Sequence, residues 1–82
     1  MKVKGLKVRD IINSIDDDVT LCIIAPYKGY KSQLYNERVE AMPYGYAKFY
    51  VDTIRMTDDG DHETVTIVLE DEVHPDYLTW NC

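Results

Sequence analysis

The residues able to do chemistry are few: Cys22, Cys82, His62, His74, and a run of carboxylates around one glycine, Asp58-Asp59-Gly60-Asp61, with Glu63 behind it. A nucleophilic triad needs a serine or cysteine within hydrogen-bond reach of a base. Cys22 sits in the apolar run 21–26, where burial raises a thiol's pKa, so it reads as a packing residue. His62 falls at a turn and His74 in the closing segment. A hydrolase would need one of them in a cleft with a carboxylate partner, and the chain is expected not to be an enzyme. Cys22, His62, His74 and Cys82 show no closely spaced zinc half-site. The carboxylates around Gly60 depart from the spacing of a calcium loop and read as a solvated hairpin turn. Gly29-Tyr30-Lys31-Ser32 lacks the Gly-Lys adjacency of a phosphate-binding loop. No metal and no cofactor are expected.

With catalytic chemistry set aside, surfaces remain. The chain has 9 Lys and Arg against 15 Asp and Glu, a formal net charge of -6. Residues 1–55 hold all 9 basic side chains and 7 acids, 9 minus 7 giving +2, whereas residues 56–82 hold the other 8 acids and no Lys or Arg, giving -8. Asp58, Asp59, Asp61, Glu63, Glu70, Asp71 and Glu72 are expected to form one continuous acidic pole. Such a pole repels nucleic acid and steers basic protein surfaces toward itself. The expected partner is a protein with a basic surface, without direct nucleic-acid binding.

Six of the seven tyrosines fall between Tyr27 and Tyr50, interleaved with Lys28, Lys31, Arg38 and Lys48. Tyrosine supplies rigid contact area and a polar tip, which makes Tyr27, Tyr30, Tyr44 and Tyr46 candidate anchors for that partner. The alternative for these rings is to cover the sheet and extend their hydroxyls to water. A different class of function also fits: a small homo-oligomer binding a nucleotide or other anionic metabolite among Lys28, Tyr30, Lys31 and Tyr44.

Only a few elements are available to position these groups. Val8, Ile11, Ile12 and Ile15 follow helical spacing, and Asp16, Asp17 and Asp18 are expected to stop that helix. Residues 19–25 read as a central strand with Val19, Leu21, Ile23 and Ala25 on one face, ended by Pro26. Residues 32–41 read as a weaker strand and 42–45 as a loop. Residues 48–57 and 63–70 read as a hairpin whose turn carries Asp59-Gly60. Val65, Ile67 and Leu69 form its core face. The expected architecture is α+β in two layers: one N-terminal helix packed on a three- to four-stranded, mostly antiparallel sheet. Length and a 45% hydrophobic, 29% charged composition predict one domain over residues 1–82, with a short C-terminal tail at 73–82 whose Trp80 folds back on the sheet. No apolar run approaches the roughly 20 residues of a membrane span, so no membrane association and a cytoplasmic location are expected. A core this small makes a homo-dimer a reasonable state.

The segments Val8-Arg9-Asp10-Ile11-Ile12 and Ile15-Asp16-Asp17-Asp18-Val19, the strand 21–24, and the later strand 51–54 with its acidic hairpin resemble small proteins of bacteriophages and prophages of Gram-positive bacteria. The resemblance covers about half of the chain and rests on the order of helix and strands. It implies an accessory protein that blocks a host nuclease or defence complex, in the manner of anti-CRISPR proteins. No functional residue carries over, because that group has no motif-defined site.

Overall fold

Alternating apolar side chains build a four-stranded sheet from β1 (Thr20–Tyr27), β2 (Tyr30–Arg38), β3 (Val51–Asp58) and β4 (Glu63–Leu69), in the order β2-β1-β4-β3. The computed structural model describes residues 5–75. β1 pairs antiparallel with β2, and β3 antiparallel with β4, while the two inner strands β1 and β4 run parallel. The chain reaches that arrangement by carrying residues 39–50 from one edge strand to the other. This stretch contains two 3-10 turns, Val39–Ala41 and Tyr44–Tyr46, and buries Val39 and Tyr46 in the core beside α1 (Val8–Ile12). The result is the expected α+β architecture, with one parallel pair at its centre.

The core lies between the sheet and this second layer. Val19, Leu21, Ile23 and Ala25 meet Val51, Val65, Ile67 and Leu69 on the sheet side, and Val8 and Ile11 of α1 close over them. Leu21, Ile23 and Ile67 are fully buried; each such side chain contributes about 1.5–3 kcal/mol relative to exposure. On the opposite face Thr64, Thr66 and Val68 are half-buried, as the alternation predicts.

Several expectations are corrected. The helix stops at Ile12, well before the aspartates, because its last turn tightens: the Ser14 N–H donates to Ile11 O and the Ser14 hydroxyl to Asp10 O. Ile15 nevertheless packs against the core. Lys7 takes the N-cap position, and its main-chain N–H donates to the Asp10 carboxylate at 3.0 Å. Pro26 does not end β1. It pairs with Lys31 one step from the closing pair Tyr27 and Tyr30, and its carbonyl accepts the Val73 N–H. The missing N–H therefore faces away from β2, at a position beyond the β4 ladder, which ends at Ile24 and Val68. β2 begins at Tyr30 and turns into the first 3-10 turn at Val39, and β3 begins only at Val51. Val73, the first residue of the expected tail, is buried in the core; Trp80 and Cys82 lie outside the described residues.

The β1–β2 turn is made by Lys28 and Gly29, both at positive φ, 49° and 84°. Two such residues match the twist of a two-residue hairpin, but lysine is a poor occupant of the left-handed region. Lys28→Asn should stabilise the fold by about 0.5–1 kcal/mol, read as a rise of a few degrees in Tm. Gly29→Ala should lower Tm by a similar amount. Equal and unchanged Tm values for both would contradict the turn geometry.

Candidate acidic interface

Because β1 and β4 run parallel, both begin at the same end of the sheet, and this decides which carboxylates meet. The loop 16–18 enters β1 there and the hairpin 58–63 enters β4 there. Asp16, Asp18, Asp58, Asp61 and Glu63 line one cleft of about 390 Å³, with Arg38 from the end of β2 and His62 completing it. Five carboxylates against one guanidinium leave a net -4 around the cleft with His62 neutral. A neighbouring cleft on the helix side carries Asp17, Glu40 and Tyr44. Tyr44 is 88% exposed.

The hairpin holds its shape with its own acids. Asp58 Oδ1 accepts the Gly60 N–H at 2.8 Å, and Asp59 Oδ1 accepts the N–H groups of His62 and Asp61 at 2.7 and 3.1 Å. Gly60 supplies the positive φ, 96°, that the turn requires. The His62 and Asp61 N–H groups lower the pKa of Asp59. A carboxyl whose folded pKa lies below its unfolded value near 3.8 contributes stability above that value, and the contribution disappears as pH falls through the folded pKa. Asp59→Asn keeps an acceptor oxygen but cannot titrate. The variant should therefore show a shallower loss of Tm than the parent chain below about pH 4. Identical acid limbs would contradict the assigned hydrogen bonds.

The remaining candidate residues are dispersed. Glu70, Asp71 and Glu72 follow β4 and so lie at the opposite end of the sheet, about 20 Å from the hairpin at the usual rise per strand residue. The expected continuous acidic pole therefore does not form from the C-terminal third of the chain. Glu72 is instead turned toward the β1–β2 hairpin, where its Oε2 accepts the Lys28 N–H at 3.2 Å. Tyr27 is half-buried under the His74 ring, 4.8 Å away and edge-on, with Lys28 Nζ 5.4 Å from its centroid. Tyr30 is 76% exposed at that same hairpin. Tyr46 is part of the core, and its hydroxyl donates to Leu34 O. That places it among the rings that cover the sheet.

Three acids that the sequence reading left out, Asp16, Asp17 and Asp18, belong to the acidic end. Their signal in the sequence is a charge run, which serves equally as a helix stop. Lys28, Tyr30 and Lys31 do not share a cleft with Tyr44 among the principal surface depressions, which set Tyr44 beside Ile12 and Asn13. Cys22 packs in the sheet with Sγ 3.6 Å from Gln33 Oε1, and burial raises its pKa. Among the described residues no group of His, Cys, Asp and Glu is placed to hold a metal ion, and no helix is long and apolar enough to cross a membrane. Comparison with protein-family models, curated proteins and solved structures finds no match to the chain.

Proposed function

We propose that this chain is a non-enzymatic binding protein that engages a basic protein surface with the acidic end of its sheet, Tyr44 acting as the aromatic anchor beside it. The observation that carries this reading is the convergence of the loop 16–18 and the hairpin 58–63 on one cleft, together with a nearly fully exposed Tyr44 on the depression lined by Asp17 and Glu40. An exposed ring next to a dense field of one sign supplies both halves of a recognition surface: the field accelerates encounter and the ring fills a pocket once contact is made. A basic groove that holds nucleic acid is a surface of the required sign, so the reading extends to a phage-type inhibitor of a host nucleic-acid enzyme or defence complex. The experiment is affinity capture from a bacterial lysate, repeated with excess duplex DNA and with Tyr44→Ala. A basic partner displaced by DNA and weakened by Tyr44→Ala is the expected result. Capture indifferent to both would overturn the proposal.

A further inference from the structure

The depression that Tyr44 shares with Asp17 and Glu40 is built from three unlike materials. Main-chain hydrogen bonds fix its walls: the Glu40 N–H donates to Asp17 O at 3.1 Å and the Val39 N–H to Val19 O at 3.0 Å, so the loop 16–18 and the turn Val39–Ala41 are held together. The carboxylates of Asp17 and Glu40 line the depression, which has a volume of about 300 Å³. Its apolar part comes from Ile12 at the end of α1 and from Met42, both half-buried, together with buried Val39. Tyr44 supplies an exposed aromatic side chain, while its main chain is fixed: its carbonyl accepts the Ala47 N–H at 3.0 Å, and Tyr46 beside it is buried in the core. No cationic residue among those described lines this depression; Arg9 and Lys48 line a neighbouring one that shares Ile12 and Tyr44.

Four kinds of occupant can be compared by physics. An anion is repelled both by the two carboxylates and by the formal net charge of -6. A neutral apolar group would cover Ile12, Met42 and Tyr44 but take water from two carboxylates without replacing it. A hydrated metal ion would use the carboxylates and leave the ring and the apolar floor idle. An arginine side chain uses all three materials: the guanidinium stacks on a tyrosine face, its N–H fork pairs with carboxylates, and its methylene stem covers apolar surface. Lysine brings the charge without the planar fork. Arg38 meets Glu40 at 3.7 Å, but both side chains are more than half exposed, and a pair of that kind is weak enough to yield to an incoming guanidinium. We propose that this depression is the docking site for an arginine side chain presented by a polypeptide partner, its guanidinium seated on Tyr44 and paired with Asp17 and Glu40. The proposal rests on the reading of the acidic end as an interface for a basic protein, and names the side chain that its aromatic anchor receives.

The test is a heteronuclear NMR titration of the full chain with Nα-acetylarginine amide, repeated with the lysine and citrulline amides. Saturable shifts of the Asn13, Asp17, Glu40 and Tyr44 amides are expected. Affinity should fall about three- to fivefold from arginine to lysine, and further for citrulline, which keeps the shape of the guanidinium without its charge. An Asp17→Asn/Glu40→Gln variant with unchanged Tm should bind arginine amide about tenfold more weakly. Tyr44→Ala should lose about three- to fivefold, whereas Tyr44→Phe, which keeps a ring, should stay within about twofold. Arg38→Gln should bind as tightly as the parent chain or more tightly. An Asp58→Asn/Asp61→Asn variant should stay within about twofold, which separates this site from the cleft beside it. The proposal is overturned by absent binding, by equal affinity for citrulline or lysine, by affinity indifferent to Tyr44→Ala, or by shifts centred on the hairpin 58–63. A captured basic partner that depends on Tyr44, with no binding of arginine amide, would overturn the arginine site and leave the basic-protein reading standing. Arginine binding with all these dependences, but no captured partner, would support the site and overturn that reading.

Discussion

Neutralising Asp16, Asp18, Asp58, Asp61 and Glu63 together, as Asn and Gln, should slow association with the captured basic partner by about 10- to 100-fold at low salt. These five groups set the field of the cleft against the single guanidinium of Arg38, and oriented charge of one sign raises encounter rates by that order. Dissociation should change much less, because all five side chains are exposed and exposed charges act mainly on the rate of encounter. The difference should shrink as ionic strength approaches physiological values, where screening acts over about 8 Å. Asn is the appropriate replacement at Asp58, since its side-chain oxygen can still accept the Gly60 N–H that shapes the turn. Removing mutual repulsion among carboxylates should leave Tm unchanged or slightly higher. The same neutralisation at Glu70, Asp71 and Glu72 is the control. At the far end of β4 these residues should alter the association rate by less than about threefold. Stopped-flow or surface-based kinetics at two salt concentrations decides the matter: equal rates for the parent and the five-site variant would remove the acidic end from the binding mechanism.

That experiment targets a group of residues visible in the sequence only in part. The hairpin acids and Gly60 were legible because Asp-Gly between two alternating strands is a local signal. The inward face of β1 was legible for the same reason: Leu21, Ile23 and Ala25 alternate, and all three are buried. Strand order is not local. Nothing in residues 20–27 or 63–69 states that these segments lie side by side and parallel, because their parallel contact depends on where residues 39–50 cross. Position along the chain unites the hairpin acids with Glu70, Asp71 and Glu72, whereas the fold groups acids by end of the sheet and unites the hairpin with Asp16, Asp17 and Asp18. The tyrosines show the same limit. Their spacing could not distinguish Tyr44, 88% exposed, from Tyr46 two residues later at 5%, because a 3-10 turn, not a strand or helix period, sets which ring faces inward.

Ile67→Ala should be the most damaging single substitution in the core, costing about 3–4 kcal/mol. Ile67 is fully buried on an inner strand, paired across the parallel ladder with Ile23 and across the antiparallel ladder with Ile54. Truncation leaves a cavity that cannot collapse easily, since hydrogen-bonded main chain on both sides fixes the strand spacing. A chain of 82 residues has roughly 4–12 kcal/mol of total stability, so the loss is a large share of it, and Tm should fall by about 12–30 °C. Met56→Ala supplies the comparison. Met56 is on the same face of the neighbouring strand but is 61% exposed, and its loss should cost within about 0.5 kcal/mol. Urea titration should show the midpoint for Ile67→Ala shifted strongly at unchanged slope, and that for Met56→Ala nearly unmoved. Similar shifts for the two would mean that β4 is not an inner strand. The consequence would reach the acidic end as well, because only the parallel contact of β4 with β1 brings the loop 16–18 beside the hairpin 58–63. Below its lowered Tm, Ile67→Ala should still bind the basic partner at the parent rate, and binding and cooperative structure should be lost over the same temperature interval.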